Sequence, residues 1–243
     1  EDVRGPDPVG QEAPGAILDA LLGGEARRSV LLVGESRVGK TTLVQRWLRA
    51  KGVDAPFLYA TSGAQLVAGM SGAGQWQARV ERVLAAAETL DAVLWLDDLR
   101  DLLGDHAGAY VDLPSAIRPW LDDGRVRVVG ELTPEAADLF ATRHPGLFAA
   151  MHPLRLEPQD ARAGRAALEA CIEHAARKEP QRANLDRGAI GAVVELTDRF
   201  LPYRAFPGKA VRLFEELRAS AERAHHAEAK RLRAEDVYAL FSA

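Results

Sequence analysis

The sequence predicts an α/β protein with a parallel sheet, followed by a smaller part made of helices. Short apolar runs alternate with segments of helical periodicity up to residue 157, and the first run passes through a glycine-containing turn into a helix. From residue 158 onward the chain is rich in Ala, Arg and Glu and has no convincing strand. We therefore expect two domains, 1–157 and 158–243, within the 243 residues.

The predicted strands are short apolar runs, as expected of strands that are covered on both faces. They are Ser29 to Val33, Pro56 to Ala60, Ala92 to Leu96, Val126 to Val129 and Pro153 to Leu156. A helical pattern from Lys40 to Ala50 follows the first run, and each later gap is long enough to hold a helix. This alternation is typical of parallel strands joined by helices.

Four helices are predicted after Glu157-Pro158. They are Asp160 to Lys178, Leu185 to Thr197, Gly208 to Lys230 and Ala234 to Phe241. Pro180, Pro202 and Pro207 fall between them, where a proline cannot continue a helix because it lacks the backbone N–H.

Composition excludes several classes of protein. With 47% hydrophobic and 27% charged residues the chain matches an average globular protein, and its net charge of −4 argues against binding to nucleic acid through phosphates. No apolar run approaches the roughly 18 residues of a membrane span. Cys171 is the single cysteine, so we expect a cytoplasmic protein without a disulfide. Because it begins with Glu1, we expect a piece of a longer chain.

The main motif is a glycine-rich loop, Gly34-Glu-Ser-Arg-Val-Gly-Lys40-Thr41, between the first predicted strand and helix. Backbone N–H groups in such a loop turn toward phosphate oxygens, and the helix N-terminus adds partial positive charge. Lys40 would then neutralise the β- and γ-phosphates of ATP, and Thr41 would bind Mg²⁺. An ordinary glycine loop is the alternative. The expected phosphate ligands are Gly34, Glu35, Ser36, Arg37, Val38, Gly39, Lys40, Thr41 and Thr42.

Two carboxylates follow the third predicted strand directly. Ligands of open α/β sheets bind at the carboxyl ends of the strands, so Asp97 is expected to hold Mg²⁺ and Asp98 to orient or deprotonate the attacking water. In the alternative interpretation both aspartates cap the following turn. Thr133, after the next strand, could contact the γ-phosphate or the water, or it could cap a helix that starts at Pro134.

The order of these motifs resembles that of the AAA+ ATPases, in particular the first ATPase module of Clp-type unfoldases and disaggregases. Residues 7–12 are similar to the family's Asp-Pro-Val-Ile-Gly-Arg, which walls the adenine, and Phe206-Pro-Gly-Lys-Ala210 is similar to Leu-Pro-Asp-Lys-Ala of its lid. Leu96-Asp-Asp-Leu99 resembles Ile-Asp-Glu-Ile, and Arg125 to Thr133 resembles the segment with Val-Gly-Ala-Thr-Thr. Ala234-Glu-Asp-Val237 is similar to the closing helix.

The resemblance implies further features of the fold, the site and the assembly. It implies a P-loop sheet of order 5-1-4-3-2 with helices on both faces, followed by an all-helical lid. It also implies that Val9 and Gly10 line the adenine and that Lys209 contacts the nucleotide. In such proteins the lid covers a nucleotide at a subunit boundary, and six modules commonly close a ring. We therefore expect a homo-oligomer, a hexamer in the full-length protein, that binds ATP, ADP and Mg²⁺.

Three positions depart from the family pattern. Asp98 replaces a catalytic glutamate that is one methylene longer, and a misplacement of about 1 Å can cost roughly a hundredfold in rate. After Gln65 to Gly69, Gly72 replaces the pore-loop tyrosine that grips substrate. Ala149-Ala-Met151 replaces Arg-Arg-Phe, which supplies an arginine finger worth about 10³ to 10⁵ in turnover, and Arg143 is the nearest substitute.

Two functions remain open at this point. The intact phosphate loop favours an ATPase that uses hydrolysis to change conformation or to remodel a protein partner in an oligomeric ring. The three departures favour an ATP-binding switch or scaffold with weak or no hydrolysis. A DNA-bound initiator or loader has less support, because the chain has no strong basic run and no helix-turn-helix signature.

Overall fold

The computed structural model describes residues 9–24, 27–69, 74–102, 112–224 and 231–242. Within these ranges the chain forms two compact units. The sheet unit comprises Ala13–Gly34 and Arg46–Leu156, and the helical unit comprises the described residues up to Glu12, Glu35–Gln45 and the described residues from Glu157 onward. Because residues 35–45 group with the helical unit, the simple division at residue 157 stays a prediction.

Five parallel strands form the sheet of the sheet unit. They are β1 (Ser29–Gly34), β2 (Leu58–Thr61), β3 (Val93–Leu96), β4 (Arg127–Leu132) and β5 (Met151–Leu156). The helices up to β5 are α1 (Glu12–Gly23), α2 (Lys40–Lys51), α3 (Gly63–Val67), α4 (Gln75–Thr89), α5 (Leu113–Asp122), α6 (Pro134–Arg143) and α7 (Pro145–Ala149), with 3₁₀ turns at Gly52–Asp54 and Leu99–Leu102.

The strand order β2-β3-β4-β1-β5 is the predicted order 5-1-4-3-2 counted from the other edge, and the α/β prediction is confirmed. Every residue of β1, β3 and β4 is buried, which requires cover on both faces of the sheet. On one face Leu31, Leu94 and Val128 pack into a core that includes Phe140 of α6.

The predicted fourth strand, Val126 to Val129, was too short. In the structure β4 continues to Leu132, and Gly130 and Glu131 pair with Leu31 and Leu32 of β1. A glycine followed by an acid has low strand propensity, but pairing with β1 in the middle of the sheet outweighs it. The extension matters for the site, because it places Glu131 inside the sheet.

Gly130 is needed where β4 passes the turn after β3. A β-carbon added there would lie 2.9 Å from Cγ of Leu99, which is itself buried. We expect Gly130→Ala to lower the free energy of unfolding by about 1–3 kcal/mol, because the packed core cannot absorb the methyl group. Urea unfolding checks this. In a Leu99→Ala background the same substitution should cost less, and simple additivity of the two effects would contradict the explanation.

The helical unit ends with four helices, as predicted. They are α8 (Ala161–Lys178), α9 (Arg187–Phe200), α10 (Gly208–Ala224) and α11 (Ala234–Phe241). Asp160 and Asp186 cap α8 and α9, each accepting a backbone N–H at 2.7 Å. None of the helices in the described part of the chain is long and apolar enough to cross a membrane.

Two details of the helical unit were not predicted. Helix α9 begins after Asp186 rather than at Leu185, because Leu185 belongs to a two-residue strand, β6 (Asn184–Leu185). This strand pairs in parallel with β7 (Arg231–Leu232), a ladder too short for hydrophobic patterning to detect. The predicted helix from Gly208 to Lys230 is described as far as Ala224, and residues 225–230 lie outside the described ranges.

Cys171 lies on α8 and is partly buried. Burial, with a smaller contribution from the negative charge of Glu215, raises the pKa of its thiol to about 11. The thiol therefore stays protonated at neutral pH, as expected of a packed rather than a reactive cysteine.

Candidate nucleotide site

The predicted phosphate loop connects β1 to α2, and two of its residues have a left-handed backbone. Arg37 and Gly39 have φ angles of 63° and 106°, in the left-handed region. A larger residue at position 39 would be strained by this φ angle, and its β-carbon, 2.5 Å from Nε2 of Gln11, would have to displace the end of that side chain.

Lys40 is the first residue of α2 and is only 9% exposed. Its Nζ donates a hydrogen bond to the backbone carbonyl of Glu35 at 3.0 Å. The ammonium at the end of the loop is therefore bonded to the backbone at its beginning. Thr41 and Thr42 follow on the first helical turn. A cation and a helix N-terminus at one loop are the two features that attract a phosphate group.

Two amide side chains adjoin the segment that was expected to wall the adenine. Gln11, 5% exposed, donates from Nε2 to the carbonyl of Val38 at 3.1 Å, and Gln159 donates from Nε2 to the carbonyl of Val9. Gly10 lies between these contacts, with an added β-carbon 3.4 Å from Gln159 Nε2. Among the described residues the Oε1 atoms of both glutamines are buried and accept no hydrogen bond.

These orphaned acceptors fit an adenine nucleotide. A buried acceptor without a donor costs about 1–3 kcal/mol, and the exocyclic amino group of adenine is a donor of the kind they lack. The chemistry of the two predicted metal ligands is also suitable, because a threonine hydroxyl and an aspartate carboxylate are hard oxygen donors of the kind that Mg²⁺ prefers. A shared site for Thr41 and Asp97 stays a prediction.

An open pocket of about 180 Å³ adjoins the loop within the helical unit. It is lined by residues 35–37 of the loop, by residues 203–205 before α10, and by Gly208, Lys209 and Arg212 of α10. Four of the lining side chains are cationic, which suits a polyphosphate. The sequence did not single out Arg204 and Arg212, because the C-terminal part is rich in arginine throughout.

Lys209 lines this pocket, but its ammonium is engaged inside the helical unit. Nζ lies 3.4 Å from the carbonyl of Leu201, 3.6 Å from the carboxylate of Asp198 and 4.0 Å from the centre of the Phe206 ring. Its side chain is 6% exposed. Lys209 therefore forms part of the pocket wall, and its contact with a nucleotide stays a prediction.

The first residue of α10 approaches the loop backbone closely. A β-carbon on Gly208 would lie 2.6 Å from the carbonyl oxygen of Arg37. Arg37 also contacts Glu215 of α10, with 3.5 Å between Nη1 and Oε2.

In the sheet unit, Asp97 and Asp98 follow β3 as predicted. Asp97 is exposed. The carboxylate of Asp98 accepts the backbone N–H of Arg100 at 2.8 Å and the Nε–H of Arg100 at 2.9 Å, and this pairing raises the pKa of Arg100. The contacts of Asp98 are therefore those of the capping alternative. A role of Asp98 in orienting or deprotonating the attacking water stays a prediction.

Thr133 caps a helix, as one of its two interpretations predicted. Its hydroxyl oxygen accepts the backbone N–H of Ala136 at 3.3 Å, at the start of α6. A contact between Thr133 and the γ-phosphate stays a prediction.

Glu131 is an acidic residue that the sequence analysis did not consider. It is 5% exposed on β4, and its Oε1 accepts a hydrogen bond from Nε1 of Trp95 on β3 at 3.0 Å. Its signal in the sequence was an acid between apolar residues, in a segment that was interpreted as the end of a strand.

Comparison with known proteins identifies the family. The model of the family described as "ATPase family associated with various cellular activities (AAA)" matches residues 30–173, which include the loop and both carboxylates. The chain belongs to the AAA family. As a member of this family it is a nucleotide-binding ATPase module.

The relatives of this AAA module include chaperones. It is 24% identical over 140 residues to the chaperone protein ClpB of Mycoplasma genitalium, covering 52% of this chain and 20% of the relative. To the chaperone protein ClpB 2 of Parasynechococcus marenigrum it is 30% identical over 151 residues, covering 58% of this chain and 17% of the relative. It thus spans a fifth or less of these curated relatives.

The fold of the AAA module resembles that of Hsp104. The structure of the S. cerevisiae Hsp104:casein complex matches 93% of this chain and 40% of that chain, with a TM-score of 0.77 and 22% identity. At this identity the likeness concerns the fold alone.

Two of the three departures from the family pattern, Asp98 and residues 149–151, lie within the described residues of the AAA module. Residues 149–151 join the end of α7 to the start of β5 and contain no arginine, and Arg143 is the exposed last residue of α6. The remaining departure, Gly72 in place of the pore-loop tyrosine, lies outside the described ranges.

Proposed function

We propose that this AAA module binds Mg²⁺-ATP and hydrolyses it to drive a conformational change. The phosphate loop is the observation that carries the proposal. Its left-handed backbone at Arg37 and Gly39 and the nearly buried ammonium of Lys40 provide the geometry and charge that a triphosphate needs.

The proposal assigns roles to Lys40 and Thr41 of the loop and to residues outside it. Lys40 exchanges its bond to the Glu35 carbonyl for bonds to the β- and γ-phosphates. The Thr41 hydroxyl and the Asp97 carboxylate would hold Mg²⁺, whose positive charge would offset the negative charge of the phosphates. Val9 and Gly10 adjoin the adenine, and the Oε1 atoms of the glutamines next to them favour a base with an amino group.

The cationic pocket supports a second set of contacts. Arg37, Arg204 and Arg212 line it together with Tyr203, whose ring is 97% exposed. We assign these side chains to the phosphates and sugar of the bound nucleotide. Because Tyr203, Arg204 and Arg212 belong to α10 and the segment before it, they make the position of this helix sensitive to hydrolysis.

Assembly and partner are proposed from the relatives. The similar Hsp104 structure is a complex with casein, and the curated relatives are chaperones. We propose that this module works in a homo-oligomer, a hexameric ring in the full-length protein, and remodels a protein partner. We also propose a cytoplasmic location.

The test of this function is ATP turnover by the purified protein over a range of concentrations, because an oligomeric ATPase gains specific activity as it assembles. We expect Asp97→Asn to lower kcat by about a hundredfold, since loss of even an outer-shell partner of a metal typically costs 10–100-fold. Titration with Mg²⁺ should show a weaker metal dependence in the variant.

Asp112→Asn is the matched control, because this exposed aspartate caps α5 and has no part in the proposed site. Equal turnover of Asp97→Asn and the wild-type protein would contradict the assignment of Asp97.

A nucleotide-dependent switch or scaffold is the second candidate. It is favoured by the pairing of Asp98 with Arg100 and by the absence of arginine from residues 149–151. Tight binding of ATP without turnover at any concentration would select this function over hydrolysis.

A further inference from the structure

Glu131 is a nearly buried carboxylate to which the proposed function gives no role. A charged group is costly to bury in a sheet, so such a residue needs both local partners and a reason to be there. The hydrogen bond from Trp95 Nε1 supplies one partner. The position of Glu131 in the sheet indicates the reason.

The register of the sheet places Glu131 beside the predicted metal ligand. Trp95 of β3 pairs with Val129 of β4, and Leu96 pairs with Gly130. The residues that follow these pairs, Asp97 and Glu131, therefore lie at the same level of the sheet. Paired residues of parallel strands point to the same face, and side chains repeat every second residue. Asp97 directly follows β3, so its position continues the face of the sheet on which Glu131 lies.

The other neighbour of Glu131 is the strand that leads to the phosphate loop. Leu32 of β1 pairs with Glu131, and Gly34, two residues later, ends the strand on the same face. Glu131 thus lies between the strand that carries the phosphate loop and the strand that carries Asp97. Ligands of open α/β sheets bind at this end of the strands.

Asp98 is less suited to activate water in this geometry. Its carboxylate is held by the backbone and the guanidinium of Arg100, and it is one methylene shorter than the glutamate of the family pattern. To reach a water it would have to leave this charge-assisted pair with Arg100.

We propose that Glu131, rather than Asp98, is the carboxylate that accepts the proton of the attacking water. The proposal rests on the proposed hydrolytic function. The water oxygen bonds to the γ-phosphorus while the bond to the bridging oxygen breaks, and that electron pair stays on ADP. The water proton passes to Glu131 and then to the released phosphate, so the carboxylate is regenerated.

In this proposal Trp95 is a positioning residue. Its indole N–H can only donate, so it holds one carboxylate oxygen of Glu131 in place. Because Trp95 lies two residues before Asp97 on the same strand, it links the position of Glu131 to the position of the metal ligand.

Glu131→Gln is the decisive variant. Glutamine has the shape of glutamate and its Oε1 still accepts the Trp95 N–H, so a structural role through this hydrogen bond predicts no change. Loss of a general base predicts a fall in kcat of about 10²- to 10⁴-fold. The Tm without nucleotide and the affinity for Mg²⁺ with a non-hydrolysable ATP analogue should stay at wild-type values.

Glu135→Gln is the matched control, since Glu135 is exposed four residues further along and should keep wild-type turnover. Asp98→Asn should also keep most of the turnover. The opposite pattern, with Glu131→Gln active and Asp98→Asn inactive, overturns the proposal and returns the role to Asp98. A wild-type protein that binds ATP without turnover instead contradicts the hydrolytic function itself.

If Glu131→Gln lowers the Tm, Trp95→Phe separates the two roles, because it removes the hydrogen bond and keeps the carboxylate. Turnover that falls much less in Trp95→Phe than in Glu131→Gln, at similar Tm, supports a chemical role for Glu131. Equal losses in both variants would assign the pair to structure and overturn the proposal.

Discussion

Replacing Lys40 by Ala is expected to weaken the binding of Mg²⁺-ATP by about two orders of magnitude. Hydrogen bonds to charged groups contribute about 1.5–3 kcal/mol each, and a loss of about 2.8 kcal/mol corresponds to a hundredfold change in Kd. Lys40 is 9% exposed and its ammonium is hydrogen-bonded to the loop backbone at Glu35, whereas the Arg37 side chain in the same loop is half exposed. Titration with a fluorescent ATP analogue measures the effect.

Lys51→Ala is the control for this prediction. Lys51 ends the same helix, α2, and pairs at 2.5 Å with Asp19, far along the chain from the loop. Its removal should leave nucleotide affinity unchanged. Wild-type affinity in Lys40→Ala would show that the phosphate loop does not bind the triphosphate, and the proposed function would fail with it.

Replacing Gly208 by Ala is expected to damage both stability and binding. The added methyl group would meet the backbone carbonyl of Arg37 at 2.6 Å, and backbone atoms cannot rotate away as a flexible side chain can. We expect the free energy of unfolding to fall by about 1–3 kcal/mol, as for other overpacked sites. Displacement of the loop at Arg37 should also reduce nucleotide affinity.

Gly191→Ala provides the matched control. Gly191 lies inside α9, and a β-carbon added there meets no atom within 4 Å. Because alanine favours a helix interior by about 1 kcal/mol over glycine, this variant should be more stable than the wild type. Urea unfolding of both variants gives the comparison, and a stabilising effect of Gly208→Ala would show that α10 does not contact the loop as described.

Local sequence was sufficient to predict the elements whose pattern is strong. The apolar run of β1, the loop that follows and the start of α2 at Lys40 were all predicted, because a buried strand and a glycine loop have distinctive compositions. The strand order was implied by the family resemblance rather than by periodicity. The bounds of α8 and α11 differ little from the prediction. The capping Asp160 marks the start of α8, and the acidic residues Glu235 and Asp236 mark the first turn of α11.

What could not be predicted depends on contacts between distant segments. Glu131 was missed because strand pairing with Leu32, and not local propensity, keeps β4 extended through it. The close approach of Gly208 to Arg37 joins residues that are 171 positions apart in the numbering.

The grouping of the phosphate loop with the C-terminal helices bears on how this site could be inherited or transplanted. The residues that surround the loop in the helical unit come from three separate stretches of chain, which contribute Gln11, residues 35–42 and residues 203–212. A recombination that exchanged only the continuous segment up to residue 157 would carry the loop without Gly208 and without the arginines of α10. The piece that evolution must keep together is therefore discontinuous in sequence, and the gene offers no single cut that separates nucleotide binding from the helices that follow it.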